Sequence, residues 1–394
     1  MSDVQLIAQA DPGAGYRACR SEIDAAVARA LASGWYILGK EGAAFEDEFA
    51  AWLGGAGTRA IGCANGTDAL ALTLRGLGIG AGSLVATVSH TAVATVAAIE
   101  MAGAMPLLLD VDPRTYTLDP AELQAVLDYP PPGLPPLRAV VVVHLYGQPA
   151  DMTPILATCR QHGVVVIEDC SQAHGALHRG RKVGTLSEVA AFSLYPTKNL
   201  GALGDAGVVA TADAELATSM ASLRQYGWRE RYVSADAGIN SRLDEMQAAV
   251  LRVKLQRLDA ANLRRQSIAA RYDAALAGGF LQPPATRAGC SHVYHQYVVR
   301  VPDRAAAQAL LKDRGISTAV HYPVPVHLQP AYAGRTPIGP SGCVVTAEIG
   351  HEIMSLPMFP ELADDQVARV CDGLMALQDE FMQAPAKQLL RRSA

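Results

Sequence analysis

The chain is short of aromatic residues, of charge and of long apolar runs, and each shortage removes a class of protein. Of its 394 residues only 6% are aromatic and 18% charged. Its 33 basic residues are outnumbered by 38 acidic ones, giving a formal net charge of -5. A chain without a basic field is a poor partner for a polyanion, so no nucleic acid is expected to bind it. No apolar stretch approaches the roughly 20 residues of a membrane-spanning helix. The first ten residues carry Asp3 and lack a basic segment ahead of an apolar one, unlike a secretory leader. No membrane partner is expected. Seven cysteines (Cys19, Cys63, Cys159, Cys170, Cys290, Cys343 and Cys371) form no C-x-x-C pair, which points to reduced thiols in a cytoplasmic protein. Cys290, His292 and His295 lie close in sequence, but alternation over 293–301 reads as a strand that would send the two histidines to opposite faces. No metal site is expected.

What the chain has in quantity is apolar residues, 50% of the total, with 35 glycines between them. Residues 16–33 place Ile23, Val27, Ala30 and Leu31 at helical spacing, and Phe45, Phe49 and Trp52 mark one face of a second helix. Buried strands are expected at 60–63, 84–88, 105–109, 139–143, 164–167 and 207–211, with helices between most of them, an alternation that specifies a mostly parallel sheet. Leu243, Met246, Val250 and Val253 begin a helix that extends in this reading over about 242–276, long enough to link two domains. Residues 76–81 fit a loose dinucleotide-binding glycine pattern but follow a helix rather than a strand, so they read as a turn. Beyond Gly279 the pattern changes to that of a smaller unit. The expected class is α/β, with a large domain over 1–255 built on a mostly parallel central sheet and a smaller C-terminal α+β domain over 256–394.

Three local signals carry chemistry. Asn65-Gly66-Thr67-Asp68 opens a helix directly after a strand, where unpaired N–H groups suit a phosphate, although Asn65 or Thr67 could equally be an ordinary cap. Glu168 and Asp169 stand at the carboxyl end of a strand, where ligands gather in open α/β sheets, or cap the next segment. Lys198 is the one lysine in Phe192 to Asp205, between Pro196 and a run of glycines. A lysine, a strand-end acid and a phosphate-binding helix start are together what pyridoxal phosphate needs: an amine for a Schiff base, an acid for the ring nitrogen and donors for the phosphate.

These stretches, with His144-Leu-Tyr-Gly-Gln-Pro-Ala150, Glu168-Asp-Cys-Ser-Gln-Ala-His-Gly175, Tyr195-Pro-Thr-Lys-Asn-Leu-Gly201, Asn240-Ser-Arg-Leu-Asp-Glu245, His321-Tyr-Pro323 and Leu356-Pro-Met-Phe-Pro360, resemble the sugar aminotransferases of the DegT/DnrJ/EryC1/StrS family over nearly the whole chain. The resemblance implies a pyridoxal-phosphate enzyme of fold type I, the aspartate aminotransferase fold. It implies Lys198 as Schiff-base lysine and proton carrier, Asp169 as partner of the pyridine nitrogen, and Gln172 beside the ring. Gly66, Thr67 and Ser193 would hold the phosphate, joined by Asn240 from the other subunit of a homodimer with shared active sites. Many relatives carry an aromatic residue where this chain has Ala92, which makes His90 the candidate to stack on the ring; a loop histidine is the alternative. The implied substrates are a nucleotide-linked keto sugar and an amino-acid donor, usually glutamate, with amination at C3 of a dTDP-3-keto-6-deoxyhexose favoured over C4. Tyr36, Tyr226, Arg242, His321 and Tyr322 are the candidate sugar contacts, and packing or interface roles remain open for each.

Overall fold

The structure is a computed structural model and describes residues 6–392. Seven strands form one sheet in the order Arg59–Cys63, Gly207–Thr211, Val189–Ser193, Val165–Asp169, Leu137–Val143, Leu84–Val88, Met105–Leu109. Only Gly207–Thr211 runs against its neighbours; the strands from Val189–Ser193 to Met105–Leu109 pair in parallel. Parallel strands need crossovers, which put helices over both faces and explain the unbroken burial of Leu84–Val88. On one face Leu72, Ile99 and Met220 pack against Val85, Val141 and Ile167. On the other, Leu123 and Ile155 pack against Ala86, Val140 and Val142. Side-chain oxygens start the covering helices: Asn65 accepts from Asp68 N, Asp119 from Ala121 N and Asp213 from Leu216 N.

The C-terminal part has its own core. The antiparallel pair Tyr297–Arg300 and Ile353–Leu356 lies among the helices Leu258–Leu276, Arg304–Asp313 and Asp364–Arg392. Tyr272, Tyr297, Val299, Leu311, Met354 and Leu374 fill it, joined by Ile7 from the other end of the chain. Not all of the C-terminal sequence belongs there. Val326, Tyr332 and Cys343 pack back on Val96 and Leu108 of the sheet-bearing part.

Several expectations need correction. The helix expected over 242–276 is two, Glu245–Leu255 and Leu258–Leu276. The first buries Leu251 and Leu255 beside the sheet, whereas the second buries Ile268 and Tyr272 in the C-terminal core, and the chain changes direction at polar Gln256-Arg257 to serve both. The helix expected over 16–33 likewise breaks at Cys19 into Pro12–Ala18 and Arg20–Ala32. Of residues 293–301 only Tyr297–Arg300 is strand, because Val293 N and Gln296 N bond the carbonyls of Gly147 and Tyr146 and wrap the chain round that turn. The strand Val189–Ser193 had no sequence signal: Ala190 and Ala191 have little β preference, and tertiary burial decides their state. Among the described residues no helix is long and apolar enough to cross a membrane, and all seven cysteines are free thiols.

Candidate active site

The strand Val165–Asp169 ends on two carboxylates that alternation sends to opposite faces. Glu168 is wholly buried and accepts from Gly184 N, Leu186 N, Ser187 N and His144 Nε2. Burial alone would raise its pKa, but the bonds from His144, Gly184 and Ser187 win and hold it below the ordinary carboxylate range. Glu168 is thus a fastener for the 184–187 turn. Asp169 instead lines a cavity of about 510 Å³, a volume in the usual range for a small-ligand site. Thr95 Oγ1 donates to its Oδ2 at 2.9 Å and Ser171 N to its Oδ1 at 3.1 Å, fixing the carboxylate plane. Thr95 was not singled out in the sequence, although Thr91 and Thr95 stand one helical turn apart around the start of Val93–Met101 and their hydroxyls meet at 3.1 Å.

Below Asp169 the same cavity is lined by Gly66, Thr67 and Ser193. The helix Gly66–Gly76 starts here, and its cap Asn65 satisfies Asp68 N at 2.8 Å but neither of the two N–H groups before it. Gly66 N and Thr67 N have no acceptor among the described residues. A side chain at position 66 would put its Cβ 2.5 Å from Ser193 Cβ, so glycine is required for the helix start to reach the serine. Two free N–H groups, a helix dipole and a hydroxyl make an anion cup.

Lys198 closes the third side. Leu194 N bonds Ala206 O, Ala202 N bonds Leu194 O, and Lys198 N bonds Tyr195 O, which ties the loop at both ends and through its middle. Gly201 is needed because a Cβ there would lie 2.5 Å from Pro196 O. The ammonium is half-buried and has no hydrogen bond or ion pair among the described residues. Besides the large cavity it borders a gap of about 110 Å³ toward Arg265 and Met358 of the C-terminal part. Burial lowers its pKa from 10.5 to about 8, with the Asp169 charge pulling the other way. Between these two pH values the unfolded chain holds the proton and the folded chain does not, so this group's contribution to stability rises with pH across that window. The neutral, nucleophilic fraction near pH 7 is roughly 300-fold that of an ordinary lysine. Aldehyde capture by the apoprotein, followed by stopped-flow absorbance, is therefore expected to accelerate from pH 6.5 and level off above about 9; a midpoint near 10.5 would contradict the assignment of this lysine.

The implied cofactor fits these residues: free N–H donors where its phosphate would lie, a buried carboxylate and an unpaired, weakly basic amine, all on one cavity. Gln172 is there too, its Oε1 accepting from Tyr146 N at 2.7 Å and its Nε2 donating to Tyr322 Oη at 3.1 Å. Tyr322 and His321 stand behind Gln172 and do not themselves line the cavity; the His321 carbonyl accepts from Tyr146 Oη, and its ring bonds Ser355 Oγ at 2.8 Å. The structure does not bring His90 to the cavity. Its ring is 1% exposed and lies against Tyr116 and Tyr146, while Ala92, two residues on, lines the wall. A face meant for stacking would have to be open, and burial has closed this one. Asn240 is exposed on the surface of its own chain, next to Ser241, which bonds Asp68 Oδ2 at 2.7 Å and Ala64 N at 3.1 Å. Tyr36 and Tyr226 are exposed and Arg242 is half-buried with no partner among the described residues; none of the three lines the cavity.

Among the described residues one cluster has the composition of a metal site, His144, Glu168 and Cys170. Its ligands are spent: His144 Nε2 bonds Glu168 and its Nδ1 accepts from Ala150 N, while burial, with Glu168 and Asp169 beside it, pushes the Cys170 thiol well up. His292 is similarly used, its Nδ1 accepting from Tyr294 N at 2.9 Å.

Residues 18–375 match the model of the DegT/DnrJ/EryC1/StrS aminotransferase family. The chain is 45% identical over 376 residues to a dTDP-3-amino-3,4,6-trideoxy-alpha-D-glucose transaminase of Streptomyces venezuelae, covering 95% of this chain and 97% of that one. It is 42% identical over 355 residues to a dTDP-3-amino-3,6-dideoxy-alpha-D-galactopyranose transaminase of Aneurinibacillus thermoaerophilus, covering 90% and 95%. The crystal structure of S. venezuelae DesV in complex with a ketimine intermediate superposes with a TM-score of 0.89 at 45% identity, covering 95% of this chain and 99% of that one. With the fold, the cavity and these likenesses together, the chain belongs to the DegT/DnrJ/EryC1/StrS family of pyridoxal-phosphate-dependent sugar aminotransferases.

Proposed function

We propose that this enzyme moves the amino group of L-glutamate to C3 of a dTDP-linked 3-keto-6-deoxyhexose. The observation that carries the reading is the cavity itself, in which the unpaired Lys198 amine, the braced Asp169 and the anion cup face one space; C3 is favoured by the products for which the two relatives are named. When bound, pyridoxal phosphate supplies the electron sink that makes an amino acid's alpha proton removable. Gly66, Thr67 and Ser193 would hold its phosphate, and Asp169 would pair with its ring nitrogen. Lys198 would hold its aldehyde carbon and, when released from it, would be the amine placed to take and return the proton of the substrate's alpha carbon. Gln172, which lines the cavity and bonds Tyr322, would lie beside the ring, and His321, Tyr36, Tyr226 and Arg242 are the residues left to meet the sugar.

The last three, with Asn240, face away from the cavity of their own chain, which supports a homodimer in which each copy completes the other's site. Exposed Trp35, Leu203, Tyr226, Tyr232 and Met246 stand on the same segments, and backbone or side-chain bonds join those segments: Glu245 N to Tyr36 O, Leu203 N to Gln247 Oε1, and Gln225 paired with Asn240. Apolar side chains of that size left open mark an interface. Sedimentation equilibrium should return twice the 41.4 kDa of the chain; a fully active monomer would contradict the shared site.

Regiochemistry is tested with glutamate and either the 3-keto or the 4-keto dTDP-6-deoxyhexose, locating nitrogen in the product by NMR. Nitrogen is expected at C3. Amination at C4 alone would overturn the proposed substrate while leaving the cofactor site untouched.

A further inference from the structure

We propose that Tyr146, backed by His90, is a positioning residue whose N–H orients Gln172 and whose hydroxyl holds the backbone before Tyr322, so that the Tyr322 hydroxyl proton is turned away from Gln172 and left for a group bound beside Gln172 in the cofactor cavity. The proposal rests on the placement of the cofactor ring beside Gln172. Tyr146 follows the strand Leu137–Val143 in the turn Leu145–Gly147, and its backbone sits at φ 60°, ψ -2°. Bulky residues rarely adopt this left-handed region, and its occupation at a site is a reason to look for what holds it there. Here the backbone is held from two sides. Tyr146 N donates to Gln172 Oε1 at 2.7 Å and Tyr146 Oη donates to the carbonyl of His321, the residue before Tyr322. Gln172 Nε2 then donates to Tyr322 Oη at 3.1 Å, closing the ring.

Each bond in the ring constrains the next. A backbone N–H can only donate, so the Gln172 atom facing it is the carbonyl oxygen, and the atom facing Tyr322 is the amide nitrogen. The Tyr322 oxygen therefore accepts, and its own proton is left over. No acceptor for that proton exists among the described residues, and Gln172 itself lines the cavity. Burial and the Asp169 charge push the Tyr322 phenol up to about 12, so the proton is in place at neutral pH.

His90 determines the other half of the ring. Its Nε2 lies 2.9 Å from Tyr146 Oη. Because the single phenolic proton goes to the His321 carbonyl, His90 must supply the hydrogen of this contact, which fixes its Nε2–H tautomer. Burial lowers its pKa to about 4, with Asp110 opposing, so it stays neutral over the working range. Rings of His90, Tyr116 and Tyr146 pack edge to face or tilted at 5.8 to 6.1 Å between centroids, which sets the imidazole against both phenol rings. His90 thus acts on the cofactor site from behind, through Tyr146, and not by stacking.

The test uses the full-length, cofactor-loaded protein. Tyr146→Phe removes one hydroxyl and keeps the N–H to Gln172; His90→Phe removes the donor, and His90→Gln restores an N–H. Tyr146→Phe and His90→Phe are expected to lower kcat about tenfold or more, with KM for glutamate changed less than about threefold, since misaimed groups lose transition-state rather than ground-state contacts. Both should move the pH midpoint of the bound cofactor's visible absorption, and His90→Gln should recover most of kcat and return the midpoint. Combining His90→Phe with Tyr322→Phe should cost no more than Tyr322→Phe alone, as residues acting through one group are not additive. Folded variants with kcat within about twofold of the parent and an unmoved band would overturn the proposal. So would equal losses in His90→Phe and His90→Gln, or fully additive losses in the double variant. The band shift is read without turnover, so an enzyme with a different sugar substrate would still decide it.

Discussion

Replacing Lys198 with alanine is expected to lower turnover by at least about a thousandfold while leaving the fold intact. A positioned proton carrier contributes about 10²- to 10⁴-fold by itself, and the proposed role gives the same amine the cofactor to hold as well. Stability should not suffer, because the ammonium has no hydrogen bond or ion pair among the described residues. Removing a half-buried cation whose burial lowers its pKa to about 8 relieves a cost at neutral pH instead of creating one. Lys198→Arg should not rescue, since a guanidinium stays protonated and cannot act as the nucleophile or base. Single-turnover amination of cofactor by glutamate, with thermal unfolding of the apoprotein alongside, checks both halves. Turnover near the parent rate would remove Lys198 from its role.

The second large effect belongs to Asp169→Asn. The amide is nearly isosteric and keeps the local bonds: its oxygen accepts from Ser171 N as before, and Thr95 can accept from the new NH₂ while turning its own proton to Thr91. What is lost is the negative charge that, in the proposed role, would face the cofactor's ring nitrogen. Breaking one side of a buried charge pair costs about 3 to 5 kcal/mol, which corresponds to roughly 10²- to 10⁴-fold. That loss should appear in kcat for the glutamate half-reaction and in cofactor affinity measured by fluorescence titration, with apoprotein stability little changed. Glu168→Gln is the informative contrast. Its carboxylate bonds five protein groups and does not line the cavity, so its replacement should lower the unfolding temperature. An Asp169→Asn enzyme with parental kcat would show that the carboxylate only braces Thr95.

The contrast between those two acids shows what a sequence can and cannot disclose. Position at a strand end marked both, and period-two alternation separates them, but which face holds the cavity depends on the helices packed over the sheet. Lys198, Gly66 and Thr67 were legible because their signals are local: a glycine-flanked loop and a cap before an apolar helix. Thr95 and Tyr146 were not, since what qualifies them is a partner 74 and 26 residues away, respectively. His90 was noticed for its type and misread in its direction. The six strands found from apolar runs fell close to their observed bounds, whereas the helix over 242–276 failed because apolar spacing cannot tell one core from two. Asn240, Tyr36, Tyr226 and Arg242 lie off the cavity of a single copy, a placement that no local pattern discloses.

The central claim is that Lys198 is the amine that holds the cofactor, and borohydride reduction tests it most directly. Reduction of the cofactor-loaded protein, followed by proteolysis and mass spectrometry, should leave the pyridoxyl mass on the peptide that contains Lys198. A label on Lys182 or Lys254, or on no lysine at all after full loading, would contradict it.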